Sequence, residues 1–329
     1  MASGYERVPL LTQKGRLSDP CWAADDIFIY NKENMRIPAR RQEWEFYQAF
    51  NERFAFWVYY GHGPGGGRAE AVLEDFETGE RTRSGKRMLL CGDTFDLDFS
   101  PGEPHTVKYE DDALFLSLGF DGETRRVLVR SDRLDAEFLC PDSGDAMVTA
   151  VPFSHRTTFL YQVKKIFPSF SGHVHMHKLD YPVDGETVMV YAGGRGSLPY
   201  RTTRIWAAAG ARTEAGMLTL NLGEDNGPEG APTENALFLD GVMQKLGKVY
   251  FRFREDDLKK RWKISDGGKK LRLEFSPDND SYERLNYLAA DLRRHRLYGR
   301  LNGTVRTDGG EEIVLSQAPC FIEHIDDRR

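Results

Sequence analysis

The dipeptide Asp-Gly occurs five times in this sequence, and most copies lie between short apolar or alternating runs. Both central residues of a type I′ turn take a positive φ, which glycine and aspartate tolerate, so Asp-Gly in this setting predicts a β-hairpin. The segments that show the pattern best are residues 114–129, 236–253 and 302–316. Short strands joined by tight turns, without alternating amphipathic helices, predict an antiparallel all-β protein.

Two stretches carry a helical periodicity instead. In residues 40–54 the aromatic side chains Trp44, Tyr47 and Phe50 recur at three-residue spacing, and in residues 281–301 apolar residues recur at three- and four-residue spacing. That period is typical of an amphipathic helix. The residues alone therefore predict a helix at each place, although pairing with neighbouring strands could make either one a strand.

The length of the chain bears on its domain organisation. Its 329 residues exceed one ordinary domain and suit two of about 165 residues each, although one very large barrel would also fit. A turn cluster at residues 141–145, followed by a fresh alternating strand after IFPSFSG, places the division near residue 165. We therefore expect an N-terminal β-barrel domain over residues 1–165 and a C-terminal one over residues 166–329.

The charge balance argues against partners held by electrostatics. The chain has 51 acidic and 45 basic residues, a net charge of −6, and the two signs are mixed throughout. No basic surface is predicted for nucleic acid or for an anionic membrane. We expect neither partner, and nothing in the sequence predicts an oligomeric state.

The cysteines and the apolar runs bear on the compartment. Four cysteines lie 70, 49 and 180 residues apart, so there is no CxxC pair to hold zinc and no dense disulfide framework. Reduced thiols in a cytoplasmic protein are the expected interpretation. The first residues lack the apolar stretch of a secretory signal, and no run approaches the roughly 18 apolar residues of a membrane span. These features predict a cytoplasmic protein without a membrane span.

Several common catalytic motifs are missing. The glycine-rich run GHGPGGGR at residues 61–68 lacks the Lys-Ser/Thr ending of a phosphate-binding loop and indicates a hairpin loop. The sequence contains no G-x-S-x-G nucleophile elbow and no H-E-x-x-H pair. Nucleotide-binding, serine-hydrolase and zincin classes therefore lose most of their support, and no cofactor is predicted.

Three histidines alternate in GHVHMHKLDY. On a strand, His173, His175 and His177 would share one face at steps of about 6.5 to 7 Å. Two such imidazoles and a carboxylate from a neighbouring strand can bind zinc or iron. A solvent-facing polar strand is the main interpretation, because no nearby carboxylate can be placed from the sequence. Metal binding stays the alternative.

A second group of polar residues lies in the second half of the chain. Arg195 stands in a glycine-rich turn, Trp206 and Asn221 lie on alternating strands, and Glu234 precedes Asn235 at the start of another strand. An Arg and a Glu facing one lumen would be a polarising group and an acid for substrate chemistry, or a structural ion pair. Glu234 and Asn235 are consecutive, so only one of them can face any one lumen.

A third group lies near residue 45. Glu43, Trp44 and Tyr47 interleave a carboxylate with aromatic side chains, which suits a pocket wall. A half-buried strand with a solvated charged face is the more ordinary interpretation. These residues are second-tier candidates for substrate binding.

Seven segments, taken together and in order, resemble a family catalogued as a domain of unknown function, DUF2804, over nearly the whole chain. The segments are PLLTQKGRL (9–17), RRQEWEFYQAF (40–50), RGSLPYRTTRIWAAAG (195–210), LTLNLGEDNG (218–227), TENALFLDGVMQKLGKVYF (233–251), RWKISDGGKKLRLEFSP (261–277) and YGRLNGTVRTDGGEEI (298–313).

That family is similar to the carotenoid hydratase and tocopherol cyclase group, whose fold is two lipocalin-like antiparallel β-barrels in tandem. The resemblance therefore implies two lipocalin-like (calycin-like) barrels here, and strands where the periodicity of residues 40–54 and 281–301 predicts helices. Members of the wider group hydrate, cyclise or isomerise apolar polyene-like substrates without redox cofactors. Such chemistry needs an acid and a dry pocket, which small barrels provide at their mouths or between them.

The resemblance thus implies a cofactor-independent lyase, isomerase or cyclase that acts on a small, largely apolar metabolite. The alternative is a non-catalytic carrier of a lipophilic small-molecule ligand. The expected roles are general acid or base for Glu234, polarising groups for Arg195 and Asn221, pocket walls for Trp206 and Tyr200, a reserve acid for Glu43, and substrate contacts for Asn235, Trp44 and Tyr47.

Overall fold

The computed structural model describes residues 6–63, 66–89, 91, 94–153, 157–177, 179–225, 227–287 and 290–328. Over these residues the chain forms strands and two single-turn 3-10 helices, Lys32–Asn34 and Pro38–Arg40, and no α-helix. The prediction of an all-β protein is confirmed. No helix within the described ranges is long and apolar enough to cross a membrane.

In chain order the strands are β1 (Val8–Pro9), β2 (Trp22–Ala23), β3 (Phe28–Ile29), β4 (Arg41–Phe50), β5 (Phe54–Gly63), β6 (Gly66–Asp75), β7 (Arg81–Met88), β8 (His105–Glu110), β9 (Phe115–Phe120), β10 (Thr124–Arg130), β11 (Leu134–Pro141), β12 (Met147–Pro152), β13 (Phe159–Ile166), β14 (Ser171–Met176), β15 (Leu179–Tyr181), β16 (Val188–Ser197), β17 (Arg201–Thr213), β18 (Gly216–Asp225), β19 (Ala236–Leu239), β20 (Val242–Lys245), β21 (Val249–Arg252), β22 (Trp262–Asp266), β23 (Leu271–Tyr287), β24 (Ala290–Arg306) and β25 (Glu312–Arg328).

Three large antiparallel sheets carry the fold. An eight-stranded sheet has the order β2-β12-β13-β16-β4-β5-β6-β7, and a six-stranded sheet has the order β15-β14-β11-β10-β9-β8. Apolar side chains from these two sheets share one buried core and form the first barrel. A nine-stranded sheet, β20-β19-β18-β17-β25-β24-β23-β22-β21, surrounds a separate core. The sheet is curled so that β21 lies beside β18, where the Phe251 N–H donates to Glu224 Oε2 (3.4 Å), and this closes the second barrel. The expectation of two tandem barrels is confirmed.

The hairpins predicted from Asp-Gly form as expected. They join β9 to β10, β19 to β20, and β24 to β25. Between β19 and β20 both turn residues have positive φ, 48° at Asp240 and 81° at Gly241, as a type I′ turn requires. The residues of the turns are therefore enough to predict these three strand pairings.

The two predicted helices are wrong, and the strands implied by the resemblance are correct. Residues 41–50 form β4, and the second stretch lies on β23 and β24, apart from residues 288 and 289, which are outside the described part. On β4, Tyr47 faces the core of the first barrel while Phe46 faces the second barrel. Because both faces of this strand are buried, its aromatic residues recur without the simple alternation of a half-exposed strand.

The predicted domain boundary at residues 165 and 166 stays a prediction. The hydrogen-bonded pairing itself changes between Ser197 and Arg201: strands before this point pair with one another, and so do the strands after it. Strand β16 pairs along its whole length with β4. The outer face of the eight-stranded sheet then packs on the nine-stranded sheet through a buried aromatic layer that includes Phe50, Tyr298 and Phe321.

Candidate functional site

A cleft of about 160 Å³ lies between the two barrels, where the aromatic layer ends. Its walls are the outer face of the eight-stranded sheet and the facing surface of β17, β24 and β25. A dry cavity of about this size can hold a benzene-sized molecule. The cleft therefore has room for part of a small organic ligand.

Aromatic side chains form the floor of the cleft. Phe46 and Trp206 meet edge to face with ring centroids 6.2 Å apart, and Trp206 meets Phe321 in the same way at 5.2 Å. Trp44 lines the cleft beside them. Edge-to-face contacts fix the ring planes, so this floor is a rigid apolar surface.

A buried ion pair stands beside Trp206. The Nζ of Lys164, on β13, donates to Oε2 of Glu234 and lies 4.3 Å from the centroid of the Trp206 ring. Only 4% of the Lys164 side chain and 15% of the Glu234 side chain are exposed. Burial lowers the pKa of Lys164 from its ordinary value, and the charge of Glu234 opposes that shift. An amine with a lowered pKa gives up its proton more readily than a lysine in water.

Asn221 on β18 holds this arrangement in place. Its Oδ1 accepts from Trp206 Nε1 (2.8 Å), and its Nδ2 donates to the carbonyl of Glu234 (2.7 Å). A Cβ at the neighbouring Gly223 would collide with the Glu234 carboxylate. The glycine leaves the space in which the carboxylate lies over the sheet.

Arginines line the other side of the cleft. We call the group Arg68, Arg83, Arg87, Arg204, Arg294 and Arg296 the arginine wall; all of them except Arg83 line the cleft. Both barrels contribute to it, and the carboxylates among them are Glu70, Glu283, Glu323 and Asp327. Arg87 Nη2 donates to Glu70 Oε2 (3.1 Å), and Arg296 Nε donates to Glu323 Oε1 (3.0 Å). The cleft thus combines an apolar floor, one lysine–glutamate pair and a dense cationic side.

The structure brings together four of the residues selected from the sequence. Glu234, Trp206 and Trp44 line the cleft, and Asn221 is bonded to the first two. Their assignment to chemistry stays a prediction.

Arg195 lies elsewhere, inside the first barrel. Its Nη2 donates to Glu45 Oε1 (2.8 Å), and both side chains are fully buried. Its Nη1 also donates to the carbonyls of Trp44 (3.0 Å) and Gly194 (2.9 Å). Arg195 is therefore paired with Glu45 and is not brought to Glu234.

Glu43 and Tyr47 share that interior. Glu43 accepts from Tyr30 OH (2.6 Å) and from the Leu97 N–H (2.9 Å), and it contacts His62 Nε2 (3.0 Å). Burial would raise the pKa of Glu43, but these hydrogen bonds outweigh burial and lower it to about 2. A carboxylate held this firmly in its charged form supports the barrel and is a poor proton donor.

Tyr200 and Asn235 also point away from the cleft. Tyr200 is 56% exposed. Asn235 is fully buried, with Oδ1 accepting from the Gly223 N–H (2.7 Å) and Nδ2 donating to the carbonyl of Gly247 (3.1 Å). Asn235 therefore links β18 to the chain beyond β20. This agrees with the expectation that Asn235 and Glu234, as consecutive residues, point in opposite directions.

The histidine row does not form as a row of three. His173 contacts Asp135 (Nε2 to Oδ1, 2.9 Å), His175 contacts Asp180, and His177, with φ 56°, lies just after β14 and contacts Glu80 (3.2 Å). The ligand atoms of Asp135, His173 and His175 lie within 4.8 Å of one another.

A second cluster with metal-ligand atoms is Glu43, His62 and Asp96. Arg41 and Lys32 both bond Asp96, at 2.6 and 2.9 Å. Because cations already occupy this carboxylate, the second cluster suits a metal ion poorly.

Sequence reasoning missed Lys164 and the arginine wall. Lys164 lies in FLYQVKKI, a strand whose residues are all buried, and a lysine inside such a run is the signal that could have found it. The wall collects arginines from four strands, β6, β7, β17 and β24, so it becomes visible only when the barrels are packed together.

Three solved structures resemble this fold. CghA, in a crystal structure with Sch210972, is 9% identical, with a TM-score of 0.55 over 98% of this chain and 97% of that chain. A putative AttH from Nitrosomonas europaea is 16% identical, with a TM-score of 0.51 over 87% of this chain and 92% of that chain. Kievitone hydratase from Nectria haematococca is 11% identical, with a TM-score of 0.49 over 87% and 89%. At these identities the likeness to CghA and to the putative AttH shows a shared fold.

By sequence, no curated protein matches the chain. Residues 4–328 match the family model described as "Domain of unknown function (DUF2804)".

Proposed function

The chain belongs to the DUF2804 family, and from that premise we propose that it is a lyase, isomerase or cyclase that works without a redox cofactor. The substrate is a small molecule that binds in the cleft between the barrels. The pair Lys164 and Glu234 exchanges protons with it, and Trp44 and Trp206 hold its apolar part.

The observation that carries this proposal is the buried pair at the edge of an aromatic cleft. Lys164 and Glu234 share a hydrogen-bonded proton within reach of the Trp206 ring. General acid–base catalysis needs a proton donor and an acceptor positioned against the substrate in a site poor in water. Most of both side chains is shielded from solvent, so a bound ligand would find the pair already in place.

The proposed chemistry balances without an external reductant or oxidant. One member of the pair takes a proton from a substrate carbon or from an attacking water. The other member delivers a proton to a second carbon or to a leaving hydroxyl group. The result is a shifted double bond, an added or lost water, or a closed ring. The gained proton then moves across the hydrogen bond between Lys164 and Glu234, which returns the pair to its starting protonation state. The aromatic floor would stabilise positive charge on the substrate during such a step.

CghA supports a bound small molecule by analogy alone, because it was crystallised with Sch210972. Function does not follow from a shared fold, and the support for this class comes from the cleft of this chain.

The test is proton exchange with carbon. A metabolite extract from the source organism is incubated in D₂O with wild-type protein or with Glu234→Gln, and the mixtures are compared by untargeted mass spectrometry. We expect one or more features that change by isomerisation or by the mass of one water and that gain carbon-bound deuterium. The rate with Glu234→Gln should fall about 100-fold or more, the usual contribution of a positioned acid or base.

The matched control is Glu229→Gln, which makes the same change at an exposed loop position and should leave the rate unchanged. Conversion that is equal in the wild type and in Glu234→Gln would remove Glu234 from the mechanism. Absence of any converted feature in a chemically broad extract would count against the enzyme class.

A second candidate is a non-catalytic carrier of the same ligand. The observation that favours it is that Lys164 and Glu234 are bonded to each other. Native mass spectrometry of gently purified protein separates the candidates. A carrier releases its ligand unchanged after prolonged incubation, whereas an enzyme releases a product that differs from the molecule supplied.

A further inference from the structure

The arginine wall carries more positive charge than its surroundings neutralise. The five arginines of the wall that line the cleft are accompanied by four carboxylates, namely Glu70, Glu283, Glu323 and Asp327. The pair Lys164 and Glu234 at the other edge is neutral as a unit. About one positive charge is therefore left over among side chains that are mostly buried, and burying uncompensated charge is costly.

The wall also contains unused hydrogen-bond donors. Arg68 Nη1, Arg204 Nε and both Nε and Nη1 of Arg294 are shielded from solvent and have no hydrogen-bond partner. Arg68 Nη1 and Arg294 Nη1 each lie 3.5 Å from Glu283 Oε2, and Arg294 Nε lies 3.2 Å from Glu323 Oε1, without hydrogen-bond geometry. Glu283 Oε2 is likewise buried without a hydrogen-bond partner, so in the described part of the wall four open donors face one open acceptor. Buried polar groups are nearly always satisfied in native proteins, so this excess of donors leaves room for a further acceptor.

The electrostatics of Arg294 agree with this. Burial lowers the pKa of Arg294 to about 10, and the charges of Arg296 and Arg68 add to that lowering although Glu323 and Glu283 oppose it. A guanidinium ordinarily keeps its proton under all conditions. Burial therefore outweighs the nearby Glu323 and Glu283, and an additional anion would favour the charged form of Arg294.

We propose that the arginine wall is the subsite for an oxyanion group, carboxylate or phosphate, of a ligand whose apolar part lies on the aromatic floor. The inference rests on the proposed function for the location of the substrate. It changes the expected ligand from a largely apolar molecule to an amphiphilic one with an anionic end.

The wall is adjacent to the floor, which fits one ligand bridging the two. The guanidinium carbon of Arg204 lies 5.9 Å from the Trp44 ring centroid, and that of Arg296 lies 5.4 Å from the Phe46 ring centroid. An aromatic body on the floor therefore places a carboxylate or phosphate one or two bonds away against the arginines. Arginine is suited to this role because its planar fork matches two oxygens at once.

The experiment measures binding of three probes of similar size by isothermal titration calorimetry in low-salt buffer. The probes are 2-naphthoate, 2-naphthyl phosphate and the neutral 2-naphthamide. We expect at least one anionic probe to bind about 10-fold or more tightly than the amide, because hydrogen bonds between arginine and an anionic group are stronger than those to a neutral amide. The preferred anion distinguishes a carboxylate ligand from a phosphate ligand. Equal affinity for all three probes, or binding of none of them, overturns the proposal.

The variant Arg294→Gln assigns the binding to the wall. It should remove most of the preference for the anion, whereas Arg293→Gln should keep it. Arg293 is the next residue on β24, is about half exposed and pairs with Asp291 at 3.0 Å, so its substitution makes the same change of charge outside the cleft. If Arg294→Gln does not fold, Arg204→Gln carries the same expectation. Full anion preference in a folded variant of the wall overturns the assignment.

The two proposals can fail separately. Anion binding that persists in Glu234→Gln, in a protein without turnover on any substrate, would leave the subsite in place and remove the enzyme. Turnover of a neutral substrate whose KM is the same in Arg294→Gln would leave the enzyme in place and remove the subsite.

Discussion

Replacing Glu234 by glutamine should leave Lys164 as a buried charge without its counter-ion. The Lys164 side chain is 4% exposed and its Nζ is bonded to Glu234. Removing one partner of a buried ion pair costs about 3–5 kcal/mol, because the remaining charge keeps its desolvation penalty. Glu234 is 15% exposed, so some water can replace it, and we expect the lower end, about 3 kcal/mol.

The assay is thermal and urea unfolding of the wild type, Glu234→Gln, and the double variant Lys164→Met/Glu234→Gln. A loss of about 3 kcal/mol lowers Tm by roughly 4 °C in a chain of this size. The double variant should recover most of the loss, because methionine removes the buried charge and keeps much of the side-chain volume. Glu229→Gln serves as the exposed control.

The loss of stability in Glu234→Gln should depend on pH. The pKa of Lys164 in the folded protein lies below its ordinary value of 10.5, and removal of Glu234 lowers it further. Between the folded and unfolded pKa values the unfolded state binds more protons, so the free energy of unfolding rises with pH. The difference in the free energy of unfolding between the wild type and Glu234→Gln should therefore become smaller as the pH rises from 7 towards 10.

Two results would refute this reasoning. A Glu234→Gln protein as stable as the wild type would mean that water solvates Lys164 freely. A deficit that is independent of pH and persists in the double variant would mean that lost packing, and not charge, is responsible.

Three further perturbations test other parts of the account. Phe321→Ala should cost about 3–5 kcal/mol, and calorimetry should show a single transition moved down, because Phe321 packs against residues of both barrels. Gly223→Ala should lower turnover of an identified substrate at least 10-fold, since the added methyl displaces the Glu234 carboxylate; unchanged turnover would show that its position is not critical. The pKa of Glu43 is lowered to about 2, so its contribution to stability is present above its ordinary pKa and is lost as the pH falls from about 5 to 2; Glu43→Gln should flatten this limb of the acid unfolding curve.

Local signals in the sequence were enough for the hairpins. The Asp240–Gly241 turn joins β19 to β20 with the backbone geometry that those two residues favour. Period alone was not enough for β4, because burial on both faces hides the alternation that identifies a half-exposed strand. Only the resemblance to a barrel family identified residues 41–50 as a strand.

In the candidate site, too, local sequence places some residues correctly and not others. Trp206 and Asn221 lie on paired strands, where Trp206 is opposite Gly223 and Asn221 is opposite Ala208, so a short hairpin places them together. Arg195 was placed with them because it is near in sequence. Its strand pairs with β4, about 150 residues earlier, and its side chain points into the first barrel. Long-range pairing of this kind leaves no local trace.

The arginine wall shows the same limit more strongly. Arg68 and Arg294 are 226 positions apart in the sequence, and both lie within 3.5 Å of Glu283. Nothing in either segment alone indicates that their charges converge. A surplus of arginine at a barrel junction can be recognised only after the two sheets are packed face to face.

The measurement that tests the central claim most directly is a crystal structure of the protein grown with 2-naphthoate and, in parallel, with 2-naphthyl phosphate. The account predicts electron density for the naphthyl ring against Trp44 and Trp206, with the anionic group within hydrogen-bond distance of Arg294 or Arg204. A cleft filled by the protein's own side chains, or a probe bound at another place while the cleft holds only water, would contradict it.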